Sequence, residues 1–345
     1  MRVGLIAPPW LPVPPLGYGG TEAVVDYLAR ELDRRGHTVV LCAPGDSTCP
    51  VDIYSPMVES VGLNADRFVK WELAHVIDSY QFLEEWQPDV IHDHTLAGPL
   101  ISLGYEMPVV TTNHNTFRWE HEITYQMLAN HGVPIVAISH HQASTTRAPL
   151  AGVVYNGVDT YAVDLCDGGG GYALCITRFD DEKGVTEGIR VALEARIDLK
   201  IIAKPPSPGQ RIYFEEQVDP WLNHPAIEWV GEVTGKQRAE LIGGAFCLIN
   251  PIKWDEPFGM VMIDALAQGT PVVSMERGAA TEIVRDGETG YLCDSQTSMA
   301  LGVELCKRGD IHRPRCREDA IQRFSVQRMV TSYLEIYEDV VRGNW

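Results

Sequence analysis

Glu256, Pro257, Phe258, Gly259, Met260 and Val261, followed by Asp264, set two carboxylates eight positions apart around a helix start. Proline suits a first helical turn, so the pattern predicts a helix over 257–268. Its free amides at Phe258, Gly259 and Met260, with the positive end of its dipole, would then face an anion such as a diphosphate. A regular helix carries Asp264 roughly 12 Å beyond Glu256 at ~1.5 Å per residue, about the span from a sugar ring across a diphosphate to a ribose. The plain alternative is an amphipathic helix that happens to begin with a glutamate.

A second group of charges is Arg178, Asp180, Asp181, Glu182 and Lys183, placed after an apolar run that reads as a strand. Fixed guanidinium and ammonium donors can stabilise the charge that a departing nucleoside diphosphate gains, without a metal. By composition alone, Arg178 and Lys183 would pair with the intervening acids as a surface cluster. Those acids could also take a hard divalent cation, which the flanking cations make unnecessary. Near the N-terminus a proline-rich loop ends in Gly19 and Gly20 before a predicted helix. Without Cβ atoms they let backbone approach a phosphate closely, and the donor diphosphate is the expected guest, although Gly-x-Gly-Gly is not the dinucleotide fingerprint. His92, His94 and His114 fall at predicted strand ends. Zinc is conceivable there, but no cysteine joins them at a ligand spacing, and His92 reads as a packing residue. Ser139 lacks the flanking glycines of a hydrolase elbow, and Lys204 reads as a solvated lysine.

These residues need a scaffold that presents strand ends. The 345 residues, 45% hydrophobic and 22% charged, suit two globular domains. A formal charge of −19 disfavours nucleic acid and anionic membrane surfaces as partners. Eight cysteines without a C-x-x-C pair, several inside apolar runs, fit reduced thiols in a cytoplasm. The first residues lack the blocks of a signal peptide, and no stretch approaches the ~20 apolar residues of a membrane span. Short apolar runs alternate with amphipathic segments, the pattern of parallel sheets covered by helices. One set puts strands near 3–7, 38–43, 90–92, 108–111, 134–138 and 152–155, with helices near 21–35, 65–86 and 120–131. The other puts strands near 172–176, 200–203, 227–230, 246–249, 271–274 and 290–292, with helices near 186–195, 209–221, 235–243 and 257–268. Two doubly wound domains follow, joined near Asn156, Gly157 and the run Gly168 to Gly171.

The chain resembles retaining glycosyltransferases of the GT-B fold, especially glycosyltransferase family four. The resemblance runs in order through the glycine loop, His92-Asp93-His94, Asn156-Gly157-Val158-Asp159, Arg178 with Lys183, Glu256 with Asp264, and the turn Gly278-Ala279-Ala280-Thr281-Glu282. It implies two Rossmann-like domains facing a central cleft: an acceptor domain over 1–157, completed by the C-terminal helix at about 326–345, and a donor domain over 158–325. It implies transfer of a sugar from a nucleoside diphosphate sugar, UDP-linked, to a soluble small-molecule or glycan acceptor, with no metal and no further cofactor. Glu256 would hold donor-sugar hydroxyls and Asp264 the ribose diol, although the family has Glu at the latter position. Arg178 and Lys183 would hold the diphosphate with the 257–261 amides and Gly19 and Gly20, and His114 would hydrogen-bond near the reacting sugar. No acceptor residue is implied. A nucleotide-sugar epimerase, a phosphorylase and a non-catalytic sugar-nucleotide-binding protein share these features; a dinucleotide dehydrogenase lacks its fingerprint.

Overall fold

Runs such as Val3, Leu5 and Ile6, or Cys247, Leu248 and Ile249, are buried on both sides of the chain, so they become parallel strands with helices over each face. The computed structural model describes residues 1–63, 68–118 and 120–345. The chain divides into two units, Met1–Gly157 with Val326–Trp345, and Val158–Ser325.

The first unit holds β1 (Arg2–Ile6), β2 (Thr38–Cys42), β3 (Asp52–Tyr54), β4 (Val90–Asp93), β5 (Val109–Thr112), β6 (Ile135–Ala137) and β7 (Gly152–Val153). They form one parallel sheet in the order β3-β2-β1-β4-β5-β6-β7. The second holds β8 (Tyr172–Ile176), β9 (Asp198–Ile202), β10 (Ile227–Gly231), β11 (Cys247–Asn250), β12 (Val272–Met275) and β13 (Gly290–Cys293). Its parallel order is β10-β9-β8-β11-β12-β13. Both sheets are doubly wound, as the alternating pattern implies. Strand order reverses between β1 and β4, and again between β8 and β11, and the carboxyl ends flanking such a reversal are where open α/β sheets bind ligands.

Helix Gly20–Arg34 buries Val24, Val25, Leu28 and Leu32 on one face. On its far end Arg35 donates to the Gln327 carbonyl at 2.7 Å and to Thr331 Oγ1 at 3.0 Å, which fixes helix Val326–Val341 against it. That last helix buries Met329, Val330, Tyr333 and Tyr337 in the first unit. Burying a large side chain of this kind contributes about 2–3 kcal/mol, much of which an unpaired hydroxyl would cancel. Both hydroxyls are paired, as described below.

Three elements depart from the expected pattern, and the start of a fourth lies outside the described residues. β3, three residues long, has too few positions to show alternation. The helix expected over 209–221 is instead a short turn Arg211–Tyr213, a π-helical stretch Phe214–Val218 and a 3-10 turn Asp219–Trp221, in which Pro220 cannot continue an α-helical ladder. The helix expected from 65 is observed as Phe68–Trp86, its predicted start lying outside the described residues. The helix expected from Pro257 begins later, at Met260 (Met260–Ala267). Gly259, its N-cap, has φ 111°, outside the helical region, so Pro257 and Phe258 belong to the preceding loop.

Candidate functional site

In the second unit the ends of β8 and β11 bring the predicted charges together. β8 continues into Thr177, Arg178 and a 3-10 turn, Asp181–Lys183; β11 continues into the loop that carries Trp254 and Glu256. Lys183 Nζ lies 2.6 Å from Glu256 Oε1, a pair separated by 73 positions in sequence. The same ammonium sits 5.0 Å from the centre of the Trp254 ring. Both charged side chains are mostly buried, at 16% and 18% exposure, so the pair is a strong charge-assisted one rather than a solvent-screened surface contact.

The Glu256 backbone is held as firmly. Its carbonyl accepts from the Ala279 amide at 3.0 Å. Gly278, at φ 54°, passes so close that a Cβ there would lie 2.5 Å from both the Glu256 nitrogen and its carbonyl oxygen. The glycine-rich turn at 278 is therefore a packing requirement of the Glu256 loop. Phe258 is buried, its ring edge-on to Phe324 at 6.1 Å, so it anchors the loop. Amides of Gly259, Met260 and Val261 remain at the first turn of helix Met260–Ala267.

Arg178 follows the plain reading: its Nε is 3.2 Å from Asp180 and a terminal nitrogen 3.9 Å from Glu182. Lys183 does not, since it reaches across to Glu256. Asp180 also accepts from Gln210 at 2.9 Å, and Asp181 pairs with Lys253 at 2.6 Å. The acids between Arg178 and Lys183 are thus engaged by protein donors. Among the described residues, no group of three or more His, Cys, Asp or Glu is placed to hold a metal.

Asp264 and Glu256 do not share one helix, so the rise along a helix does not measure their separation. Asp264 Oδ2 accepts from Arg238 at 2.7 Å. Arg238, on helix Gly235–Gly244, has no sequence signal beyond its charge.

The first unit's polar groups, also at strand ends, are of another kind. His92 is fully buried, with Nδ1 2.6 Å from the Tyr337 hydroxyl and Nε2 2.7 Å from Thr112 Oγ1. Thr112 in turn meets the Tyr333 hydroxyl at 3.1 Å. This confirms His92 as a packing residue and ties the C-terminal helix to β4 and β5. His94 Nδ1 lies 2.9 Å from His114 Nε2, so one ring donates to the other. Burial pushes His114 down to about 4 and His92 and His94 well below the usual histidine range, leaving a neutral cluster at pH 7. Asp93 accepts from the Thr95 amide, the Thr95 hydroxyl and Tyr80 at 2.7–2.9 Å, yet burial still raises its carboxyl to about 7. Three buried polar atoms, His94 Nε2, Asn113 Nδ2 and Tyr125 Oη, have no hydrogen-bond partner among the described residues.

Gly19 ends the proline-rich loop as the N-cap of helix Gly20–Arg34, but a Cβ there would lie 2.6 Å from Pro15 and 3.0 Å from Leu11. Gly19 is thus required by the loop's own packing; Gly20 is exposed at the first helical position. Sequence reasoning missed Asp93, Tyr80, Trp254 and Arg238. Tyr333 and Tyr337 lie on the expected C-terminal helix, but their pairing with Thr112 and His92 has no sequence signal.

With this geometry, the sequence profile of Glycosyltransferase Family 4 matches residues 18–161, and that of Glycosyl transferases group 1 matches residues 165–323. The chain is a GT-B glycosyltransferase resembling family four. It is 24% identical to a phosphatidyl-myo-inositol mannosyltransferase of Mycobacterium leprae, over 99% of this chain and 97% of the relative. The fold of AviGT4, a glycosyltransferase involved in avilamycin A biosynthesis, superposes with TM-score 0.73 at 23% identity, covering 99% and 98% of the two chains. That of HepE from Anabaena, solved with UDP and glucose, superposes with TM-score 0.76 at 19% identity, covering 98% and 100%. All eight cysteines of this glycosyltransferase are free, and all but Cys166 are buried. Among the described residues, no helix is long and apolar enough to cross a membrane.

Proposed function

We propose that this glycosyltransferase moves a sugar, with retention, from a UDP-linked donor to a soluble small-molecule or glycan acceptor, without a metal or other cofactor. The observation that carries the proposal is the Lys183–Glu256 contact at the reversal of the second sheet, with Arg178 on the same loop as Lys183. A cation and a carboxylate held side by side match the two ends of a sugar diphosphate. The ammonium and guanidinium stabilise the diphosphate as it departs; the carboxylate accepts hydrogen bonds from sugar hydroxyls. Amides at 259–261 meet a phosphate oxygen, Asp264 takes the ribose diol, and His114 hydrogen-bonds near the reacting sugar. In the reaction the bond from the sugar's anomeric carbon to the phosphate oxygen breaks, and a bond to the acceptor oxygen forms on the same face. The acceptor proton passes to the departing phosphate oxygen, so no separate base is needed. The HepE complex with UDP and glucose supports a uridine donor, and AviGT4's part in avilamycin A biosynthesis supports a small acceptor.

Calorimetric titration with UDP, GDP, ADP and NAD, with chelator present throughout, tests the donor. Tight binding of UDP alone is the expected result. Binding of NAD only, or of none, overturns the reading. With the donor known, product formed without an acceptor, or only with inorganic phosphate, would move the assignment to an epimerase or a phosphorylase.

A further inference from the structure

The Arg238–Asp264 pair gives the donor half of the molecule a feature that the charge pattern around Glu256 does not announce. The two side chains come from successive helices of the same unit, Gly235–Gly244 after β10 and Met260–Ala267 after β11. Their 2.7 Å contact is partly buried, with Arg238 31% and Asp264 15% exposed. An aspartate is one methylene shorter than a glutamate, so its carboxylate has less reach and its direction matters more. With Oδ2 committed to the guanidinium, the side-chain torsions are fixed and Oδ1 is the oxygen left to present. A carboxylate that accepts from an arginine can offer its remaining lone pairs only as acceptors, which suits the two O–H donors of a ribose diol.

Building on the nucleotide-sugar reading above, we propose that Arg238 is a positioning residue that aims Asp264 at the donor ribose, so that this pair, rather than Asp264 alone, sets the preference for a ribonucleotide over its 2′-deoxy counterpart. Arg238 acts through the carboxylate; it makes no claim on the reacting atoms. A lysine at 238 could supply charge but not the planar guanidinium that fixes the carboxylate's direction, so Arg238→Lys would restore only part of the effect.

The test is the affinity for UDP and for 2′-deoxy-UDP, measured by calorimetry on the full chain as wild type, Arg238→Ala, Arg238→Lys, Asp264→Ala and Arg238→Ala/Asp264→Ala. The wild type is expected to favour UDP by about tenfold, the worth of one well-placed hydrogen bond. Arg238→Ala and Asp264→Ala should each bring that ratio close to one, chiefly by weakening UDP. The double variant should lose no more than either single one, and Arg238→Lys should keep an intermediate ratio. If Arg238→Ala keeps the wild-type ratio, or weakens both nucleotides equally as a merely structural lesion would, the inference is wrong while the donor reading stands. If the wild type binds neither nucleotide, the donor reading fails and takes this inference with it.

Discussion

The strand ends of the two units solve opposite problems with similar topology. In the first, His92 is held by neutral hydrogen bonds to Tyr337 and Thr112, Asp93 accepts from Thr95 and Tyr80, and His94 and His114 meet each other. In the second, Arg178, Lys183, Glu256 and Asp264 each have an oppositely charged partner. A neutral buried network resists change, because every lost partner leaves a polar atom with no water to replace it. A charged pair at a strand end can exchange one partner for a ligand of the same charge type. Similar sheet reversals thus yield a rigid brace in one unit and an exchangeable charge set in the other.

The sharpest way to break this contrast is to remove the exchangeable charges. Lys183→Ala and Glu256→Ala should each lower turnover of the active donor by about 10²–10³-fold, the usual cost of a transition-state electrostatic contact. Near-normal turnover in either variant would show the pair to be structural. The converse experiment attacks the brace. His92→Ala strands the Tyr337 hydroxyl in the core, leaves Thr112 with only Tyr333, and should destabilise the first unit by about 2–4 kcal/mol in urea unfolding, while UDP affinity stays at the wild-type level. A collapse of UDP binding without loss of stability would reverse the roles assigned to the two regions. Gly278→Ala lies between these extremes. Its Cβ would push against the Glu256 backbone, so turnover should drop by about 10–100-fold for a stability cost of about 1–3 kcal/mol.

The smallest effect is a pH dependence confined to the brace. Asp93, raised to about 7 in the folded chain from an ordinary 3.8, binds a proton there at pH values where the unfolded chain has lost it. It therefore adds stability as pH falls from 7 toward 4. His75, buried in the first unit with Nε2 2.9 Å from the Ala7 carbonyl, and His114 are lowered by burial to about 4 from 6.5 and do the reverse: the unfolded chain takes up protons first, and stability is lost as pH falls through the same window. Asp93→Asn keeps the shape but removes the compensating term, so it should lose more stability than wild type between pH 7 and pH 5, by about 1–2 kcal/mol. Parallel pH profiles for the two proteins would show that Asp93 is ionised in the fold, and that the first unit is less different from the second than its geometry indicates.

Much of the scaffold was legible because its signals are local. Runs such as 3–7 and 246–249 are too apolar to be anything but doubly covered strands, and their alternation with helices calls for parallel sheets. The helix at 260 was misplaced by three residues because a proline's preference for a first turn is local too, whereas the φ of 111° at Gly259 is set by packing around it. The stretch over 209–221 failed for the related reason that composition does not report a π-helical turn.

By itself, then, the sequence determined the two doubly wound units, the identities of the charged residues at the strand ends, and the packing role of His92. Tertiary structure alone decided the partners. Lys183 chose Glu256 over its acidic neighbours, Asp264 acquired Arg238, and His92 met Tyr337 across 245 positions. The physical reason is that strand and helix patterns depend on neighbours within a few residues, whereas a hydrogen bond depends on which strand ends a parallel crossover topology places side by side.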